Sequence, residues 1–186
     1  MTPILFNNNE NPAAITYNGQ EGLKVYYNNN LVWEKKRYPL RLLQIEYKNR
    51  EVVGTNQEIL YMGPYTTRYA LLEFEVLSNF TTATLYFKRS DSYGAGQAIR
   101  IRMRVNDGTE FLNPTNLSMS SANSKGYTTT ATKDGWEAIV LDKTLYESAI
   151  ASNPSATKFQ IILGHISNNP SLYGQGNDNL PYIELS

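Results

Sequence analysis

The chain has 186 residues, 41% of them hydrophobic and 18% charged, with a formal net charge of zero. That length suits one domain with a small appendage, and the composition can fill a core rather than stay disordered. Zero net charge gives no global attraction to nucleic acid or anionic membranes, and the absence of Cys excludes disulfides, thiolate nucleophiles and Cys-ligated metals.

The opening residues Met1-Thr-Pro-Ile-Leu-Phe carry no basic segment and only a three-residue apolar run, so they do not read as a signal peptide. No apolar stretch reaches the roughly 18–20 residues that cross a bilayer. The expectation is a soluble protein made in a cytoplasm, leaving it only by a lysis or assembly route, with no membrane insertion. Residues 1–36 read as a small β unit. Ile15-Thr16-Tyr17 runs into the turn signal Asn18-Gly19. A hairpin follows, with Leu23–Tyr27 and Leu31–Lys35 flanking Asn28–Asn30. A lone hairpin is marginal in water, so Val25, Tyr26, Tyr27 and Trp33 are candidates for an assembly interface. The basic run Lys35-Lys36-Arg37-Tyr38 ending in Pro39 marks a boundary, leaving 37–186 as the larger unit.

In that unit apolar residues recur at every second position. Leu43, Ile45 and Tyr47 alternate with Gln44 and Glu46; Ala70, Leu72, Phe74 and Val76 with Leu71, Glu73 and Glu75; and Ala83, Leu85 and Phe87 form the next run. Ile99, Ile101, Met103 and Val105 alternate with Arg100, Arg102 and Arg104. Further runs are Trp136, Ala138 and Val140; Phe159, Ile161 and Leu163; and Tyr182–Leu185. One helix is predicted over Lys143–Ala151, ending before Asn153-Pro154. Strands with one oily and one polar face, separated by turn-rich connections, predict an all-β fold: an antiparallel, jelly-roll-like β-sandwich with one short helix and the N-terminal hairpin.

The run Arg68–Val76 followed by Ala83–Phe87 resembles the jelly-roll carbohydrate-binding-like modules, whose core reads R-x-LL-x-F-x-v … A-T-L-x-f. The later family elements match at Trp136–Leu141, Thr144–Ser152, Lys158–Leu163 and Pro181–Leu185, so the likeness spans residues 40–186. The Ser/Thr/Asn-rich stretch 113–132 departs from the family, which carries a Trp-containing segment there. Residues 17–35 are similar to a hairpin of tailed-bacteriophage virion proteins, in which V-Y-x-N-G-x-x-V-W recurs. Together the resemblances imply a bacteriophage virion structural protein, such as a head or tail fibre or decoration component, that carries an adhesion module. Its implied partners are other virion proteins, further copies of itself and a bacterial surface glycan. The alternatives are a free carbohydrate-binding module and, last, an enzyme acting on polysaccharide.

No catalytic set emerges. His165, the only His, reads as a surface residue at a strand end, and Gly94-Ala95-Gly96 lacks the lysine and helix of a phosphate loop. Glu73 and Glu75 lie about 6–7 Å apart by strand rise, a spacing that a solvated strand face also produces. Candidate ligand contacts are the loop tyrosines Tyr65, Tyr93, Tyr127 and Tyr173, whose rings stack on sugars, and the stripe Arg100, Arg102, Arg104. The bland reading of the stripe is a solvated face paired with Glu73 and Glu75. No cofactor and no dedicated metal site is expected; Asp91, Asp107 and Asp178 are the carboxylates that a structural Ca²⁺ would draw on.

Overall fold

Alternation sends successive side chains to opposite faces of a strand, and sheets form where the oily faces meet. The computed structural model describes residues 36–63, 67–77, 80–90, 99–105, 111–113, 136–165 and 171–186 in full. It describes the backbone alone at 15–17, 20–22, 24–27, 30–34, 98, 124–128 and 130–131.

Near the N-terminus β1 (Ile15–Tyr17) pairs with β2 (Gln20–Gly22), and β3 (Lys24–Tyr27) with β4 (Asn30–Glu34). Val25 stands opposite Trp33, and the register shifts between Val25 and Tyr26. Next come β5 (Lys36–Arg37), β6 (Arg41–Lys48), β7 (Glu51–Thr55), β8 (Ile59–Tyr61), β9 (Arg68–Glu75), β10 (Ala83–Lys88) and β11 (Ala98–Val105). They are followed by β12 (Ser124–Thr128), β13 (Thr130–Ala131), β14 (Trp136–Val140), α1 (Lys143–Ala151), β15 (Lys158–Gly164), β16 (Ser171–Tyr173) and β17 (Tyr182–Leu185).

Two antiparallel sheets make the sandwich. One has the order β12-β11-β15-β9-β6-β7 and the other β13-β14-β10-β17-β5. Between them lies the main core, built from Leu42, Leu72, Phe74, Leu85, Phe87, Ile101, Met103, Ile139, Phe159, Ile161 and Ile183 among others. The fold is the all-β, jelly-roll-like sandwich that the alternation predicts, and α1 occupies the predicted residues. Asp142 caps α1 by accepting from the Leu145 amide at 3.0 Å. The helix sends Leu145, Tyr146 and Ala149 into the core. The Tyr146 hydroxyl donates to Leu77 O at 2.8 Å and accepts from Leu77 N at 2.7 Å, so the one polar atom of that ring is satisfied inside.

Three expectations are corrected. The six-stranded sheet is buried on both faces, not one. Leu43, Ile45, Tyr69, Leu71 and Ile162 form a second core on its outer face, joined by Val52, Phe111 and Leu112. The Tyr69 hydroxyl clamps this cover, donating to Leu112 O at 2.9 Å and accepting from Leu112 N at 3.0 Å. Gly54 leaves the room: a Cβ there would lie 2.5 Å from the Phe111 ring. Second, β14 faces the other way. Ile139 and Glu137 point inward, whereas Trp136 and Ala138 are half-buried on the outside and Val140 is 60% exposed. Third, His165 is buried rather than on the surface, and its backbone N–H donates to Gly63 O at 3.1 Å.

Candidate functional site

The five-stranded sheet keeps an outer face with no second core among the described residues. Its strands put Ala83, Leu85, Phe87, Ile139, Ile183 and Leu185 inward. The alternate positions Thr84, Tyr86, Lys88, Trp136, Ala138, Val140, Tyr182 and Glu184 therefore stand outward. Register gathers them: Tyr86 is opposite both Ala138 and Tyr182, Lys88 opposite Trp136, and Thr84 opposite Glu184, which in turn faces Lys36.

The result is an aromatic patch centred on Tyr182. Tyr86 stacks on it with centroids 5.0 Å apart and planes 15° from parallel. Trp136 meets it edge-on at 5.2 Å, Tyr38 lies tilted at 6.0 Å, and Lys36 Nζ sits 4.1 Å above its centre. Offset and edge-to-face pairs of this kind are favourable beyond the area they bury. Tyr182 is itself buried by these neighbours and works as their support. Accessible ring surface comes from Tyr38, 53% exposed, and from the half-buried Tyr86 and Trp136. Polar groups frame the patch. Lys88 Nζ donates to Asn179 Oδ1 at 3.5 Å, and Asn177 Oδ1 holds Asn179 by accepting from its backbone N and its Nδ2, both at 2.9 Å. Rigid rings with donors and acceptors at their margin are what a sugar ring engages: its C–H face stacks and its hydroxyls bond at the rim.

The sequence candidates scatter. Arg100, Arg102 and Arg104 do share the outer face of the six-stranded sheet, but the stripe is only partly solvated. Arg104 is buried, with Nε donating to Gln160 Oε1 at 2.7 Å, and Gln160 Nε2 donates to Glu73 Oε2 at 2.9 Å. Arg100 and Arg102 are half-buried, and burial lowers the pKa of Arg102. Glu73 is consumed by this network while Glu75 is exposed, so the two carboxylates do not face a common cleft. Tyr173 is half-buried on β16, opposite Ile59. Tyr127 stands opposite Ile99 in the β11–β12 register, whereas Arg100 and Arg102 stand opposite Gly126 and Ser124. Tyr65, Tyr93, Asp91 and Asp107 lie outside the described residues, as do the side chains of Tyr127, Val25, Tyr26, Tyr27 and Trp33; Asp178 is exposed. Among the described residues no group of three or more His, Asp or Glu is placed to hold a metal.

Sequence reasoning missed Tyr38, Tyr86 and Tyr182 as a group and read Trp136 as core. The signal was present for Tyr86, which occupies the non-core phase of Ala83–Lys88. Its neighbours on β14 and β17 come from 50 and 96 residues further along the chain, measured from Tyr86 to Trp136 and Tyr182.

No protein-family model matches the chain. No curated protein matches it either. Among solved structures it is similar to the xylan-binding module CBM15, at 10% identity and a TM-score of 0.36, over 78% of this chain and 90% of that one.

Proposed function

We propose that the protein binds carbohydrate, without catalysis, through the outer face of the five-stranded sheet. The observation that carries this reading is the Tyr38–Tyr86–Trp136 surface assembled around Tyr182. Aromatic groups left accessible on a sheet cost free energy in water unless something covers them, and a saccharide covers them without needing a matched charge. Affinity electrophoresis in gels containing xylan, mixed-linkage β-glucan, mannan or a bacterial capsular polysaccharide tests it. Retardation in at least one gel is expected, weakened about tenfold by Tyr38→Ala, since one stacking anchor contributes on the order of 1–2 kcal/mol. Tyr38 is exposed enough to remove without unfolding the protein. Free migration in every gel, or full retardation of Tyr38→Ala, would contradict it.

A finer reading places this module on a bacteriophage particle as an adhesive component. Its support is the β3–β4 hairpin, a two-stranded ladder outside both sheets of the sandwich, with Val25 opposite Trp33. An isolated ladder of that size needs a partner surface. Sedimentation of the full chain is expected to show an oligomer that Trp33→Ala dissociates; a monomer at all concentrations would remove the support for a virion role and leave a free binding module.

A further inference from the structure

On the inner side of the five-stranded sheet, between Glu137 of β14 and Arg89 just after β10, lies a buried ion pair. Arg89 Nε donates to Glu137 Oε1 at 2.5 Å and Nη2 to Oε2 at 3.4 Å, with side chains only 5% and 4% exposed. Arg89 Nη1 is buried with no hydrogen-bond partner, so the pair is incompletely satisfied. His165 does not add a second charge, because burial and, after it, the positive Arg89 lower its pKa. Apolar residues of similar volume often join neighbouring strands of a sheet as well as such a pair does, so stability alone does not account for it.

Register does. The strand Trp136-Glu-Ala-Ile-Val-Leu141 has two competing apolar phases. Trp136, Ala138 and Val140 would serve a core as well as Ile139 and Leu141 do. Hydrophobic pattern therefore leaves the facing of β14 open, and a one-residue slip would exchange its two faces. Glu137 breaks the tie. Facing inward opposite Phe87, it meets Arg89, the residue that follows β10. Facing outward, it would leave Arg89 as an unpaired charge in the core. We propose that Arg89 and Glu137 are positioning residues for the saccharide surface: the pair selects the register that presents Trp136 beside Lys88 and against Tyr182. The proposal rests on the carbohydrate reading for its functional meaning, but not for its structural content.

The test is the double variant R89M/E137L in a W33F background, so that Trp136 alone reports fluorescence. With both charges gone the protein is expected to fold with a melting temperature close to that of its parent. Its Trp136 emission shifts as the indole leaves Tyr182, and affinity for a polysaccharide retained by the parent falls about tenfold. E137Q, which keeps an acceptor for Arg89, is expected to preserve both emission and affinity within about twofold. Unchanged emission and affinity in R89M/E137L would overturn the proposal, because the pair would then be merely structural. Should the double variant not fold, R89M/E137Q is read in its place with the same two outcomes, as it too removes both charges and keeps the volume at position 137. If the parent binds no polysaccharide, the carbohydrate reading falls and the emission comparison alone decides the role of the pair.

Discussion

The outer faces of the two sheets begin from similar material, alternating strands with large side chains and charges, and end differently. On the six-stranded sheet a row of Arg104, Gln160 and Glu73 crosses β11, β15 and β9 beside Leu43, Leu71 and Ile162, and Phe111 and Leu112 lie against that second core. On the five-stranded sheet Tyr38, Tyr86, Trp136 and Tyr182 lean on one another and keep ring surface accessible. Covered, charged residues become structural and must be satisfied inside. Uncovered, aromatic residues remain available for contact. The arginine stripe, the more conspicuous feature in the linear chain, therefore belongs to the structural face.

Removing a charge should separate the faces most strongly. Glu73→Leu strands Gln160 Nε2, and through it Arg104, in a buried layer, and is expected to destabilise by roughly 3 kcal/mol. Glu184→Leu on the other face should change stability by only about 0.5 kcal/mol. Urea denaturation compares them, and equal losses would erase the distinction.

The sealed face also has a signature in alkali. Burial raises the Tyr69 pKa to about 12, and the Leu112 hydrogen bond only partly offsets it. Because the folded value lies above the unfolded value of about 10, this contribution is complete below pH 10 and is lost as pH climbs towards 12. Its full size is roughly 2–3 kcal/mol for a shift of that extent. Denaturation between pH 9 and about 11.5 should show a steeper decline for the wild type than for Tyr69→Phe; parallel curves would mean that the phenol is not sealed.

Crowding gives the next contrast. Gly54→Ala pushes a methyl into the Phe111 ring and is expected to cost about 1–3 kcal/mol. Ala138→Val, on the uncovered sheet, should stay within about 0.5 kcal/mol of the wild type. The smallest effect lies in the β6–β7 hairpin, where Asn49 and Arg50 both take positive φ, at 50° and 70°. That two-residue turn favours Gly at its second position, so Arg50→Gly should gain about 0.5 kcal/mol in a melting curve.

The fold was legible where one phase of a strand is clearly apolar. Ile99–Val105, Ala83–Phe87 and the helix Lys143–Ala151 follow from periodicity alone. Legibility failed where both phases are apolar. In β9 the run Ala70-Leu71-Leu72 serves two cores, yet it reads as one face with a polar back. In β14 only Glu137 distinguishes the phases, and its partner Arg89 lies 48 residues earlier in the chain. The aromatic patch failed for a third reason: the order β14-β10-β17-β5 brings together four segments that no local pattern connects.

The most direct test of an open binding face against a sealed one is a nuclear magnetic resonance titration with a soluble oligosaccharide of whichever polysaccharide retards the protein. The ring signals of Tyr38 and Tyr86 and the indole N–H of Trp136 are expected to move in a saturable way, while the methyl groups of Leu71 and Ile162 stay still. Movement of Leu71 and Ile162 with stationary Tyr38 and Trp136 would place binding on the six-stranded sheet and contradict the division of roles between the two faces.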